Sequence, residues 1–296
     1  MGLIYSTAGY PFTLSSQGKL HEAWEYVQHQ IELLPHPMTW VSASIVCYHL
    51  ASKANGEERR AWTEMQIKYH EQAWSEYQQL PAKDRDDPLM HDSIAFSLET
   101  YALGMLRLGD RAKAKEAADA AIRFGPQTSG PWTVRGIVTY PSEQAIADFR
   151  KASGMQDAND IPHYYLALHS LRSNDPAAAL GWCEKALAQN PDRSTEAQLY
   201  GWIAICRDCL GAPRKEIDTL FRKALEIDPD NPEVLKSYRH FQDSPELHSE
   251  RSRLRPEDFA DRTIGMSVEQ HVSGREARFR ETSAPRELFM KELVSV

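Results

Sequence analysis

Long apolar runs are missing from this chain. None approaches the roughly 18 residues that a bilayer-spanning helix needs, which argues against a transmembrane protein. The opening Met1-Gly2-Leu3-Ile4-Tyr5-Ser6 is too short and uncharged for a secretory signal. It fits the loose Met-Gly-x-x-x-Ser/Thr acylation pattern, a match that chance supplies readily. Cysteine is scarce, with four in 296 residues, and no Asn-x-Ser/Thr sequon occurs; both point to a reducing, cytoplasmic setting. Basic charge is in deficit, 34 Lys and Arg against 42 Asp and Glu for a net charge of -8. That argues against nucleic acid, because phosphate binding needs a positive face and gains affinity from released counterions. Phosphate-cradling glycine loops, a Gly-x-Ser-x-Gly elbow and His-Glu-x-x-His spacing are all absent. These absences count against an enzyme without eliminating one, since a catalytic pair assembled across distant segments leaves no motif.

What is present is a recurring phrase. A helix ends, a Gly or Asn turn follows, and then come Ala, three residues, a bulky residue, Ala and Pro. It reads Leu108-Gly109 … Ala114 … Ala118 … Ala121 … Pro126, then Ser173-Asn174 … Ala179 … Cys183 … Ala186 … Pro191, then Leu210-Gly211 … Ile217 … Phe221 … Ala224 … Pro229. Small residues belong where two helices approach to about 8–10 Å, and proline stops the second helix because it lacks an amide donor and clashes with the preceding turn. Gly109 and Gly211 suit a helix end with left-handed backbone. Weaker copies flank these: Gln17 to Pro35 as a second helix, Met38 to Leu80 as a longer hairpin turning at Ala54-Asn55-Gly56, and Trp132 to Ser153 with a short first helix ended by Tyr140-Pro141. A helix from Pro232 to Phe241 closes the series.

The string Phe221-Arg222-Lys223-Ala224-Leu225-Glu226-Ile227-Asp228-Pro229-Asp230-Asn231-Pro232 resembles the end of one tetratricopeptide (TPR) unit and the start of the next. The resemblance covers residues 17–241 and is strong for three units. It implies an all-α, right-handed superhelix of helical hairpins of about 34 residues each. Two departures stand out. The aromatic residue and glycine expected early in the first helix are replaced, by His163 and Ala167 in one repeat, and extra residues sit around Ser194 to Glu196. Residues 1–16 read as a lead-in. Residues 242–296 read as a mostly disordered tail, with a short helix over 285–294 placing Leu288, Phe289 and Leu293 on one side.

The resemblance further implies a concave groove, lined by first helices, that receives a peptide or partner helix. Residues three and four apart share a helix face. The strips are then Phe96, Glu99, Leu103, Leu106 and Arg107; Ile161, Tyr164, Leu168, Leu171 and Arg172; and Gln198, Gly201, Ile205, Asp208 and Cys209. Arg107 and Arg172 fall at equivalent places, where stacked arginines suit acidic side chains, although ordinary solvated charge is the commoner fate. Relatives that clamp the carboxylate of chaperone tails need lysines and asparagines where this chain has Glu99, Leu103, Tyr164 and Leu168, so that ligand is not expected. Cys206-Arg207-Asp208-Cys209 has neither a second pair for zinc nor a βαβ context for redox chemistry, and reads as packing. The tryptophans read as inter-helix packing, with Trp62 and Trp74 the candidates for an exposed anchor. No cofactor or metal is expected.

The preferred function is a scaffold or adaptor for a protein segment, with no nucleic acid or membrane partner and with self-association through a stack end open. The alternatives are an enzyme, or enzyme-associated domain, on the same frame, and a module whose own tail occupies its groove.

Overall fold

The computed structural model describes residues 10–243 apart from 12 and 16. The acylation pattern, the lead-in up to residue 9 and the tail from 244 with its 285–294 helix lie outside the described residues. Among those described, all regular structure is helical. They form two compact units, one ending at Thr139 and one beginning at Tyr140.

The first unit contains α1 (Leu20–Leu33), α2 (Pro37–Lys53), α3 (Gly56–Gln79), the single turn α4 (Ala82–Arg85), α5 (Pro88–Arg107), α6 (Arg111–Phe124) and α7 (Ser129–Thr139). Helices α2 and α3 form the long hairpin read from the sequence, and α5 and α6 form another. Helix α2 also packs against α1 and α5. It is therefore covered on every side: Val41, Ala43, Ile45, Val46, Cys47 and Tyr48 are all at 0% exposure.

The second unit contains α8 (Glu143–Ser153), α9 (Asp160–Arg172), α10 (Pro176–Leu187), α11 (Arg193–Cys209), α12 (Arg214–Ile227) and α13 (Pro232–Asp243). Here α9 pairs with α10 and α11 with α12, while α10 leans on α11 and α13 packs on both α11 and α12. The extra residues at Ser194 to Glu196 sit in the first turn of α11. Helix α13 turns Lys236, Arg239 and His240 outward.

The repeated phrase has one geometry throughout. In each second helix the residues at i, i+4 and i+7 are the covered ones: Ala114, Ala118 and Ala121 in α6, Ala145, Phe149 and Ala152 in α8, Ala179, Cys183 and Ala186 in α10, and Ile217, Phe221 and Ala224 in α12. The turns repeat as well. Gly18, Gly109, Asn174 and Gly211 all have positive φ, between 56° and 86°. At each, the next amide reaches back to a carbonyl five residues earlier: Lys19 to Leu14 (3.0 Å), Asp110 to Met105, Asp175 to Ser170 and Ala212 to Arg207 (2.9 Å each). This pattern satisfies helix-end carbonyls that have no intrahelical partner. Asp110 and Asp175 then cap the following helix, accepting from the amides of Lys113 and Ala178 at 3.0 Å, so one residue ends a helix and starts the next.

A second device recurs that the sequence reading missed. Arg111, first residue of α6, donates from Nη1 to the Val138 carbonyl at 3.2 Å. Arg214, first residue of α12, donates from Nη2 to the Phe241 carbonyl at 3.0 Å, again 27 residues on. In both cases the start of a second helix caps the end of the following first helix, within its own unit.

Candidate interaction face

The first-helix strips are the candidate binding surface, and the structure treats their members differently. In the first unit, Glu99 and Leu103 are buried on α5 (5% and 2% exposed), while Phe96 and Arg107 are half-buried. The Arg107 guanidinium lies 4.5 Å from the centroid of the Tyr48 ring of α2. In the second unit, Tyr164 and Leu168 are buried on α9 (2% and 1%). The Tyr164 ring lies 4.6 Å from that of Trp202 on α11, a side-chain contact between these two first helices. Burial pushes the Tyr164 phenol well above its ordinary range. Arg172 is half-buried, donates to the Tyr140 hydroxyl at 3.2 Å and lies 5.3 Å from the centroid of that ring.

The equivalent arginines thus share an environment that the sequence did not suggest. Each rests on a tyrosine of its own unit, an arrangement in which ring and cation attract. On α11, Gln198, Ile205 and Asp208 are half-buried. Ile205 packs against the cluster that includes Phe221 and Val234. Gly201 is there because a Cβ would come within 3.1 Å of the Val234 side chain. At Glu99, Leu103, Tyr164 and Leu168, then, the strips contribute to the interior, as do the guanidinium nitrogens of Arg107, and surface is left at Phe96, Arg172, Gln198, Ile205 and Asp208.

The remaining candidates resolve into packing. Cys206 is buried and Cys209 half-buried, and burial pushes their thiols up to about 12 and about 11. Cys47 and Cys183 are shifted in the same direction by the same cause. A thiol held protonated is a poor nucleophile. Trp62 meets Trp24 edge-on at 5.4 Å, and Trp74 sits 5.7 Å from Phe124; both are half-buried between helices rather than set out as anchors. Trp40 stacks on Tyr69 and donates from Nε1 to Glu76 at 2.7 Å. Among the described residues, no three His, Cys, Asp or Glu side chains gather closely enough to hold a metal ion, and no helix is long and apolar enough to cross a membrane.

A polar seam between α3 and α5 was not legible beforehand. Gln66, at 0% exposure, donates from Nε2 to the Thr100 carbonyl at 2.7 Å. One turn on, His70 Nδ1 meets Ser97 Oγ at 2.8 Å, and its ring stacks 4.2 Å from Tyr101. Ser44 of α2 donates to the Gln66 carbonyl at 3.0 Å. The only advance signal was two polar residues, four apart, on the inward side of a long amphipathic helix.

No protein-family model and no curated protein sequence matches the chain. Among solved structures, the chain is similar to a tetratricopeptide repeat protein from Parabacteroides merdae ATCC 43184, over 82% of this chain and 100% of that one, at 11% identity and a TM-score of 0.41.

Proposed function

We propose that this protein is a scaffold that binds a segment of another protein along its first helices. The observation that carries this reading is the pairing of α9 with α11 through Tyr164 and Trp202. It ties the first helices of neighbouring hairpins together, and Arg172, Gln198 and Asp208 of the same two helices are half-exposed. A rigid backing with a few adaptable polar groups suits an extended or helical protein ligand. The charge balance of the chain speaks for a protein rather than a nucleic-acid partner, and the cysteine usage for the cytoplasm.

The test follows from burial. Replacing Tyr164 or Leu168 damages the core and says nothing about binding, so the informative changes are Gln198→Arg and Arg172→Ala. Protein captured from lysate by the wild type is identified by mass spectrometry, and the purified partner is then titrated against both variants. Binding weakened several-fold is expected, with an unchanged thermal melt for Gln198→Arg and a modestly lowered one for Arg172→Ala, which removes the contacts with Tyr140. Equal binding by both folded variants would remove this face as the site.

A further inference from the structure

The connection between α2 and α3 holds the one Asn-Gly pair in the chain, Asn55-Gly56. Its asparagine behaves unlike the other Asp and Asn residues that directly precede the helices named above. The side chains of Asp87, Asp110, Asn159, Asp175, Asp192 and Asn231 each accept a backbone amide of the helix that follows. Asn55 occupies the same position before α3 and makes no such bond. Its Oδ1 instead accepts from Arg59 Nη2 at 3.2 Å, and Arg59 is anchored by Nε to the Ala54 carbonyl at 2.8 Å. Both Asn55 and Gly56 are exposed, and a Cβ at Gly56 would meet nothing within 4 Å. The Gly56 amide belongs to the first turn of a helix, where amides have no intrahelical acceptor.

We propose that Asn55 is a site of self-catalysed deamidation. The Gly56 nitrogen attacks Cγ of Asn55, forming an N–Cγ bond. The Cγ–Nδ2 bond breaks and Nδ2 departs as ammonia, taking up the proton that the Gly56 nitrogen loses. The resulting succinimide is opened by water at either carbonyl, giving aspartate at position 55 or the isomer whose main chain runs through the β-carboxyl. Negative charge develops on Oδ1 during the attack. A guanidinium already bonded to that oxygen stabilises it, as donors placed at a developing oxyanion do. Gly56 presents no side chain to obstruct the ring.

The other four asparagines lack this combination. Asn190 and Asn231 precede proline, whose nitrogen has no hydrogen to lose. Asn159 is committed to capping Ile161. Asn174 precedes Asp175, whose amide donates to the Ser170 carbonyl at 2.9 Å, and an amide so engaged is not available for attack. Aspartate at position 55 would place a carboxylate at the N-terminus of α3, where the helix dipole favours negative charge, still beside Arg59.

The full-length protein is held folded at mildly alkaline pH and sampled over time for peptide mass mapping, with an isoaspartate-specific assay alongside. Asn55 is expected to convert first among the five asparagines, at least as fast as in the same chain unfolded in urea, and Arg59→Gln is expected to slow conversion several-fold. Protection of Asn55 in the folded protein relative to the unfolded one would overturn the proposal. So would conversion of another asparagine ahead of it, or an Arg59→Gln rate equal to wild type.

Discussion

Gly104 lies in the last turn of α5, and replacing it with alanine sets two effects against each other. Helix propensity favours the change by about 1 kcal/mol, because alanine loses less backbone entropy than glycine. Packing opposes it. The new Cβ would lie 2.8 Å from Gln66 Oε1, 3.1 Å from Nε2 and 3.2 Å from Cδ. Gln66 has no exposed surface into which to withdraw, and its Nε2 is bonded to the Thr100 carbonyl. Overfilling a core costs about 1–3 kcal/mol, and a buried amide pulled off its partner costs about 1–3 kcal/mol more. Packing should win, so Gly104→Ala is expected to destabilise the protein by about 1–5 kcal/mol net. Urea denaturation followed by circular dichroism reads the change as a lower midpoint with an unaltered slope. The decisive comparison is the cycle with Gln66→Ala: removing the obstructing side chain should make Gly104→Ala nearly neutral or favourable, a coupling of about 2 kcal/mol or more. If Gly104→Ala is as stable as wild type on its own, or costs the same with and without Gln66, the contact does not govern this helix pair.

Further outcomes follow from the same geometry. Burial pushes the His70 imidazole from its usual 6.5 down to about 3. A depressed base binds fewer protons folded than unfolded, so stability is fully present above pH 6.5. It falls by about 1.4 kcal/mol for each pH unit below that until about pH 3, and His70→Gln should flatten the slope measured by urea denaturation between pH 7 and pH 5. Ala118→Leu and Ala186→Leu, at positions with 0% exposure, should each cost about 1–3 kcal/mol in thermal melts, whereas Ala112→Leu, exposed near the start of the helix that carries Ala118, should cost little. Gly109 has φ 86°, so Gly109→Ala should lose about 1 kcal/mol, while Asn174→Gly at the matching turn should be neutral or stabilising by scanning calorimetry.

Much of the fold was legible from spacing. The buried triples Ala114/Ala118/Ala121, Ala179/Cys183/Ala186 and Ile217/Phe221/Ala224 stand where the repeated phrase placed them, and the left-handed turns fall at Gly109, Asn174 and Gly211. The candidate face was read less well. Its strips were drawn along helix faces, yet Glu99, Leu103, Tyr164 and Leu168 along them are buried. The equivalent arginines came out on tyrosines, Tyr48 and Tyr140, that no local pattern links to them.

What the sequence by itself determined is therefore local. It set where helices start and stop and which side of each second helix is apolar, because capping, turn conformation and the 3.6-residue period depend on residues within about one helical turn. The tertiary structure alone decided which first-helix residues stay at the surface, how Gln66 and His70 of α3 reach across to Thr100 and Ser97 of α5, and where Arg111 and Arg214 place their caps. Those outcomes depend on groups some 27 to 34 residues apart in the chain, and such groups meet only once neighbouring helices have packed.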